Sequence, residues 1–351
     1  MHPLLDELRS RRMGLIITAD LRRAGITDAE VRRQLRRGEW VRLRRGVLAE
    51  ASHLAGLDGA GRHLLETVAV VLALQRPGAV VGRHSAATVY ELPLPRSLDG
   101  TVVLLDPTQN RAGEGYRIHR APLPDGDVTR RRGIPVTTLP RTLVDLARTL
   151  PLTDAVVAAD AALHRLPELV TPELLGAAAA AATGWAHAAD ARRLADLAVE
   201  HVESPLESRH RLALLTSRVP LPRRGMRIDL DGDRFYPDGL WEEAGVVQET
   251  DGRVKTREPW HDRTAEQKVW EEKRRAEKLT AAGLRFWRVA EEDLEPRAWA
   301  RAVDRLLGML AHPVPGPRRY RAVFAPRPRD PGSGSPGSQR VASRRDPMTG
   351  G

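Results

Sequence analysis

The chain of 351 residues contains no cysteine. This absence excludes disulfide bonds, thiolate zinc sites and cysteine nucleophiles, so a metal ion would have to be held by carboxylates or histidines. The 11 histidines are scattered and form no HExxH pair. Lysine is nearly absent as well, because only Lys255, Lys268, Lys273 and Lys278 interrupt a sequence that otherwise uses arginine.

Long apolar runs are also missing. The longest run, Val68 to Leu74, is far too short to cross a bilayer. The first residues, MHPLLDELRSRR, lack the apolar segment of a signal peptide. These features predict a cytoplasmic protein with no membrane partner.

Positive charge is concentrated at the two ends of the sequence. The formal net charge is +10, and residues 1–55 contain 12 arginines against 7 acidic residues. Residues 313–351 contain 8 arginines against 2 aspartates. Such clustering indicates a polyanionic partner, although an arginine-rich composition and solvated basic faces explain part of it.

Residues 1–55 have the pattern of a winged helix-turn-helix. Leu4, Leu5 and Leu8 have helical spacing, and a second helix begins at Thr18 and ends at Gly25. The run from Thr27 to Glu30 predicts a capping box for a third helix ending near Gly38, with Val31 and Leu35 facing the core. The segment WVRLRRGVL then alternates apolar and basic residues around Gly46, as in a hairpin.

This pattern assigns candidate DNA contacts to the third helix and to the hairpin, which would be the wing. The helix would lie in the major groove, and the wing would reach phosphates or the minor groove. The alternative is an ordinary helix with a solvated basic face. The candidate contacts are Thr27, Arg32, Arg33, Arg36 and Arg37 on the helix, and Arg44 and Arg45 on the wing.

Residues 56–200 alternate helical and strand patterns. We predict helices in LLETVAVVLALQ, SAATVYEL, PRTLVDLARTL and LTDAVVAADAALHR, and strands in TVVLLD and YRIHR. The alanine-rich stretch from Leu174 to Val202 predicts one helix leading into the next domain. Arg141 and Asp145 are four residues apart and indicate a structural ion pair.

Residues 201–312 place acidic residues around a predicted β-hairpin. Ser204 and Pro205 open a helix that contains Glu207, and the strands that follow carry Asp238 and Glu249. A hairpin can bring Asp238 and Glu249 together, and Glu207 would complete a cluster of three carboxylates. Oxygen donors of this kind favour Mg²⁺ or Mn²⁺, with Asp238 and Glu249 as metal ligands and Lys255 beside the metal.

Each of these residues also has a structural interpretation. Glu207 fits a capping box, and Asp238 fits a turn that follows a strand. Glu249 is free if its side chain points outward from its strand. Lys268, Lys273 and Lys278 alternate with glutamates along a helix, which is ordinary surface patterning.

The motifs ESPLESR, YPDGLWEEAGVVQETDGRVK and VWEEKRRAEKLTAAGLRFWRV resemble, in this order, the very-short-patch-repair-like endonucleases of the PD-(D/E)XK superfamily. The resemblance implies catalytic roles for Asp238, Glu249, Lys255 and Glu207. Asp251 stands where the superfamily has a lysine, so Lys255 or Lys273 would have to take over that role.

The first 200 residues resemble the AbiEi-type antitoxins, in which a winged helix precedes an α/β domain. The resemblance rests on ITADLRRAGITDAEVRRQLRRGEWVRLRRGVL, GRHSAATVYELPLP and GIPVTTLPRTLVDLA. It implies repression of transcription and action against a nucleotidyltransferase-like toxin.

Together these features predict an α+β multidomain protein. We expect a winged helix-turn-helix at 1–55, an α/β middle domain at 56–200, a restriction-endonuclease-like α/β/α domain at 201–312 and a disordered basic tail at 313–351. The main functional hypothesis is a DNA-binding transcriptional regulator. The alternatives are a Mg²⁺- or Mn²⁺-dependent endonuclease targeted by the winged helix, and an antitoxin that binds its toxin. The sequence does not specify an oligomeric state.

Overall fold

A computed structural model of the chain describes residues 12–251, 265–316 and 318–328. Within these ranges the chain forms helices and several sheets, as expected for an α+β protein. None of the helices in the described ranges is both long and apolar enough to cross a bilayer.

The N-terminal region is a helix-turn-helix followed by a hairpin. Strands β1, β3 and β2 pair antiparallel in that order. The first helix predicted around Leu4, Leu5 and Leu8 lies outside the described residues. The elements are β1 (Leu15–Ile17), α1 (Thr18–Arg23), α2 (Asp28–Arg36), β2 (Trp40–Arg44), β3 (Val47–Glu50) and α3 (Ala51–Ala55).

Local signals in the sequence set the ends of the two N-terminal helices. Helix α1 ends before Gly25, whose φ of +78° is the left-handed conformation that glycine adopts easily. Helix α2 begins with the predicted capping box between Thr27 and Glu30. Val31 and Leu35 pack with the core between the helices and the small sheet, as predicted.

The middle region is built on a mixed sheet of six strands in the order β6-β7-β5-β4-β9-β8. The small N-terminal sheet packs one face against this region, because Leu15, Leu43, Val47 and Ala49 belong to the same core. The elements are α4 (Gly59–Leu74), β4 (Val80–Val81), α5 (Arg83–Val89), β5 (Val102–Asp106), β6 (Arg111–Gly113), β7 (Tyr116–Arg120), β8 (Val128–Arg131), β9 (Ile134–Thr137), α6 (Leu139–Ala147), α7 (Leu152–Arg165), α8 (Pro172–Ala181) and α9 (Ala188–Leu197).

The prediction of one helix in the alanine-rich stretch is wrong. The stretch forms α8 and α9, and the chain turns between them at Gly184 and His187, which have φ values of +85° and +59°. Trp185 lies in this turn and packs beneath the guanidinium of Arg141. The cation–π contact and the turn therefore override a high local helix propensity.

The C-terminal region contains two small sheets, β11-β10-β15 and β12-β13-β14. In the second sheet β13 is antiparallel to β12 and parallel to β14, so α11 is the crossover between parallel strands. The elements are α10 (Pro205–Thr216), β10 (Met226–Leu230), β11 (Asp233–Phe235), β12 (Gly239–Trp241), β13 (Val246–Asp251), α11 (Ala265–Ala281), β14 (Arg285–Ala290), α12 (Pro296–Ala311) and β15 (Arg321–Phe324).

Helices cover both faces of the β12-β13-β14 sheet. Val246 packs on the face covered by α10 and α12, with Leu214 and Ala302. Val247 packs on the opposite face, with Leu279 of α11. Because side chains alternate along a strand, Glu249 lies on the α11 face, like Val247.

The prediction of a disordered tail from residue 313 is wrong for residues 321–324. These residues form β15, which pairs antiparallel with β10 in a register that places Met226 opposite Phe324. Just after β15, Arg327 forms an ion pair with Glu203 at 2.6 Å, a second contact between this segment and the rest of the chain. The surrounding sequence is rich in Pro and Gly, which predicts disorder. It nevertheless contains a short segment that pairs with an edge of β10 that would otherwise be open.

Candidate functional site

Four exposed arginines form a surface that we call the α2 basic surface: Arg32, Arg33 and Arg36 on α2, and Arg37 directly after it. They are exposed because Val31 and Leu35 direct the other side of the helix toward the core. Among the described residues, acidic side chains within 4 Å are found only for Arg37, which lies 3.9 Å from Glu39. The surface therefore presents guanidinium groups that local acids leave largely available.

Thr27 begins α2 and is already engaged in capping the helix. Its Oγ1 donates to Glu30 Oε2 at 2.8 Å and accepts from the Glu30 amide at 3.3 Å. The Thr27 amide donates to the same carboxylate and lowers the pKa of Glu30. Thr27 therefore fixes the start of the helix that carries the α2 basic surface.

The two predicted wing arginines have different environments. Arg45 is exposed at the tip of the hairpin. Arg44 is turned inward, and its Nη1 lies 3.0 Å from Glu66 Oε2 on α4. A β-bulge between Arg42 and Arg44 breaks the simple alternation of the strand, which explains why Arg44 does not join the other candidates.

Arg42 is a wing residue that the sequence analysis did not select. Its side chain is exposed, on the same hairpin as Arg45. The strand alternation already placed Arg42 opposite Val41 and Leu43, so the sequence did contain a signal for it. The wing thus presents Arg42 and Arg45.

The predicted carboxylate cluster is only partly assembled. Glu207 and Asp238 approach each other, and burial followed by the charge of Asp238 raises the pKa of Glu207 to about 7. Glu207 is 5% exposed and accepts hydrogen bonds from Ser204 Oγ at 2.8 Å and the Glu203 amide at 3.2 Å. As predicted, Ser204 caps α10 and Pro205 takes its first turn.

Asp238 and Glu249 are held by different partners. The Asp238 carboxylate accepts a hydrogen bond of 2.6 Å from the Thr250 amide. Glu249 points to the α11 face of the sheet, where Arg288 Nε lies 3.0 Å away and Arg275 Nη2 lies 3.8 Å away. Arginines therefore balance the charge of Glu249.

A nearly buried arginine lies beside two of the three acids of the predicted Mg²⁺ or Mn²⁺ site. Arg224 is 10% exposed, and its Nη1 lies 3.5 Å from Glu207 Oε2 and 3.3 Å from the backbone oxygen of Asp238. A guanidinium thus supplies the positive charge beside these two acids. In the part of the chain that the structure describes, no group of three or more His, Asp or Glu side chains could hold a metal ion.

The lysine candidates give no support to the metal site either. Lys255 lies outside the described residues, as do the side chains of Asp251 and Lys268. Lys273 is exposed on α11, and Lys278 pairs with Asp233 and with Asp231. The described lysines are therefore surface residues, as their spacing indicated.

A small pocket of about 130 Å³ is lined by Glu207, Asp238 and Arg327, among other residues. Its lining is mixed in charge, because Glu203 and two histidines, His164 and His201, complete it. Glu203 is paired with Arg327, and Arg224 lies beside Glu207 and Asp238.

Comparison with known proteins gives a family match for the N-terminal region. No curated protein matches the chain. Among solved structures, the chain is similar to the RV2827C protein from Mycobacterium tuberculosis, with 19% identity, a TM-score of 0.35, and coverage of 63% of this chain and 81% of that one. Residues 3–51, which contain the helix-turn-helix and the hairpin, match the family model described as transcriptional regulator, AbiEi antitoxin.

Proposed function

We propose that the protein is a DNA-binding transcriptional regulator that inserts α2 into the major groove. The observation that carries the proposal is the α2 basic surface, where four exposed arginines lie on α2 and directly after it, and where, among the described residues, only Arg37 has an acidic side chain within 4 Å, that of Glu39. Guanidinium groups bind phosphate oxygens and pair with guanine edges, so this surface can contribute both affinity and sequence preference. The family match over residues 3–51 supports the proposal.

The wing would add contacts outside the major groove. Arg42 and Arg45 are exposed on the β2–β3 hairpin. In this binding mode they reach phosphates or the adjacent minor groove, while Arg44 holds the hairpin against α4 through Glu66. Thr27 acts mainly by capping α2 and so fixing the direction in which the helix presents its arginines.

A binding measurement with matched variants tests the proposal. Fluorescence anisotropy would compare a duplex from the gene's own upstream region with a random duplex of the same length. We expect the double variant Arg32→Ala/Arg36→Ala to lose roughly tenfold or more in affinity, because each arginine contact contributes about 1 kcal/mol or more. The upstream duplex should bind more tightly than the random one to the wild type.

Helix α12 provides the control for this experiment. Arg301 and Arg305 are exposed and also four residues apart, so Arg301→Ala/Arg305→Ala removes the same charge with the same spacing. We expect this control to bind DNA like the wild type. Equal loss in both double variants would mean that net charge alone attracts DNA, and no loss in either would remove α2 from the interface.

The two other functional hypotheses receive no further support. The endonuclease hypothesis required a metal at Asp238 and Glu249, and Glu249 is instead paired with Arg288 and Arg275. Binding of a nucleotidyltransferase-like toxin stays a prediction from the resemblance.

A further inference from the structure

The middle region contains a cleft lined by arginines, well apart in sequence from the winged helix. Its volume is about 230 Å³, and its lining includes Arg83, Arg120, Arg141, Arg148 and Trp185. These residues come from α5, the end of β7, α6, the residue after α6 and the α8–α9 turn. The four-residue spacing of Arg141 and Asp145 in the sequence indicates only a structural ion pair.

Arg141 and Arg148 are held rigidly in the wall of the cleft. Arg141 Nε donates to Asp145 Oδ2 at 3.0 Å, and Arg148 Nη1 donates to Asp145 Oδ1 at 2.9 Å. Both guanidinium groups lie over the Trp185 ring, at 4.3 and 4.8 Å from its centroid. Two ion pairs and a shared aromatic ring therefore fix the geometry of these two cations before any ligand binds.

Each of these guanidinium groups keeps one nitrogen for a further partner. Besides Asp145, Arg141 uses Nη1 for Asp127 and the Pro122 carbonyl, and Arg148 uses Nε for the Ala186 carbonyl. Within the described residues, the Nη2 atoms of Arg141 and Arg148 have no hydrogen-bond acceptor. The protein thus orients both groups while leaving a donor on each.

Arg83 is a third cation of the cleft, with an unusual backbone conformation and no acidic partner among the described residues. It begins α5 with a φ of +52°, a left-handed backbone conformation that residues other than glycine rarely adopt. No acidic side chain among the described residues lies within ion-pair distance of its guanidinium. Burial and the nearby charge of Arg148 lower the pKa of Arg83, and the charge of Asp145 opposes this shift.

The charges of the cleft do not balance. Four arginines line it, and the acids that pair with them are Asp145 and Asp127. The excess is therefore two positive charges, carried by the half-buried Arg83 and the exposed Arg120 beside the buried Arg141. This positive excess attracts an anion, and planar guanidinium groups suit the oxygens of a phosphate.

We propose that this cleft binds the terminal phosphate of a small phosphorylated ligand. Arg83 and the Nη2 groups of Arg141 and Arg148 contact the phosphate oxygens, and the exposed Arg120 contacts the next group of the ligand. The ligand is small because Arg141 is buried, so the backbone of a duplex cannot approach it. The proposal does not depend on DNA binding by α2.

Calorimetric titration and thermal unfolding of the full chain test this site. The probes are sodium phosphate, sodium pyrophosphate and ATP, each compared with sodium chloride at equal ionic strength. We expect pyrophosphate or ATP to bind and to raise the Tm, because a ligand that binds only the folded state stabilises it. Comparing these two probes separates recognition of the phosphates from recognition of a nucleoside.

Arg83→Gly is the decisive variant. Glycine adopts a φ of +52° without strain, so the variant removes the guanidinium and keeps the fold. We expect at least about tenfold weaker binding, with a Tm in the absence of ligand no lower than that of the wild type. Arg218→Gly is the matched control, because Arg218 also has a left-handed φ, of +55°, and does not line the cleft, so this variant should bind the probes like the wild type.

Three results would overturn the proposal. The first is that no phosphate-bearing probe binds better than chloride. The second is that Arg83→Gly binds pyrophosphate or ATP as tightly as the wild type does. The third is that duplex DNA displaces the probe and binds more weakly to Arg83→Gly, which would assign the cleft to nucleic acid.

Discussion

Asp160 on α7 and Arg211 on α10 form an ion pair that is buried on both sides, with side-chain exposures of 0% and 4%. Arg211 Nη2 donates to both carboxylate oxygens, at 2.9 and 3.2 Å. The Ser208 hydroxyl and the Val199 amide donate to the same carboxylate at 2.7 and 2.8 Å. This pair therefore joins the middle region to the first helix of the C-terminal region.

Removal of the Asp160 carboxylate should destabilise the whole protein. Asp160→Ala leaves Arg211 buried without a counter-charge, and we expect the free energy of unfolding to fall by about 3–5 kcal/mol. Asp154→Ala, on the same helix, is the control. Its partner Arg209 is 3.8 Å away and 36% exposed, so this loss should stay below about 1 kcal/mol. Urea unfolding measures both, and equal losses would contradict a special role for the buried pair.

Glu207 should make stability depend on pH in a defined direction. Its pKa is about 7 in the folded protein and 4.5 in an ordinary environment, so between these values the folded state holds more protons than the unfolded state. The stabilisation contributed by protonated Glu207 is complete below pH 4.5 and is lost as the pH rises through 7. The loss is on the order of 3 kcal/mol.

Glu207→Gln tests this titration, because glutamine keeps a similar shape and cannot ionise. We expect the variant to be more stable than the wild type at pH 8 and to lose the part of the pH dependence between 4.5 and 7. Urea unfolding at several pH values measures both properties. Parallel stability curves for the two proteins would show that Glu207 does not titrate in this range.

Divalent metal ions should have little effect on the C-terminal region. Because Arg224 supplies the positive charge beside Glu207 and Asp238, we expect millimolar Mg²⁺ or Mn²⁺ to leave the Tm of the wild type unchanged. Nicked, mismatched and single-stranded DNA should stay intact under the same conditions. Cleavage that depends on metal and disappears in Asp238→Ala would instead restore the endonuclease hypothesis.

Arg44 and Arg45 are neighbours in sequence and should behave differently. Arg44→Ala removes the 3.0 Å pair with Glu66, so we expect a loss of stability of about 1 kcal/mol and little change in DNA affinity. Arg45→Ala should leave stability unchanged and weaken DNA binding. Thermal unfolding and anisotropy on both variants separate the two roles. The opposite pattern would reverse the assignment of the wing residues.

The sequence predicted best the elements whose signals are local. Helix α7 covers the predicted segment LTDAVVAADAALHR, and β7 covers YRIHR, because apolar periodicity reflects the face that each element buries. The capping boundaries of α2 and α10 were predictable for the same reason, since Thr27 and Ser204 bond to residues three positions away.

The sequence could not reveal relationships that depend on distant partners. Arg44 was expected to point outward, but a bulge and Glu66 turn it inward. The β12–β13 register, which pairs Gly239 with Gln248, brings Asp238 next to the strand that carries Glu249, as expected, but the ion pairs of Glu249 with Arg275 and Arg288 depend on distant residues. These ion pairs join residues 22 or more positions apart, and the pairing of β15 with β10 is of the same kind.

The salt dependence of DNA affinity tests the central claim most directly. If Arg32 and Arg36 each neutralise a phosphate, log K falls linearly with log salt concentration, and Arg32→Ala/Arg36→Ala has a slope shallower by about 1.8 than the wild type. The control Arg301→Ala/Arg305→Ala keeps the wild-type slope. An unchanged slope and affinity in the α2 variant would contradict the assignment of α2 as the DNA-binding helix.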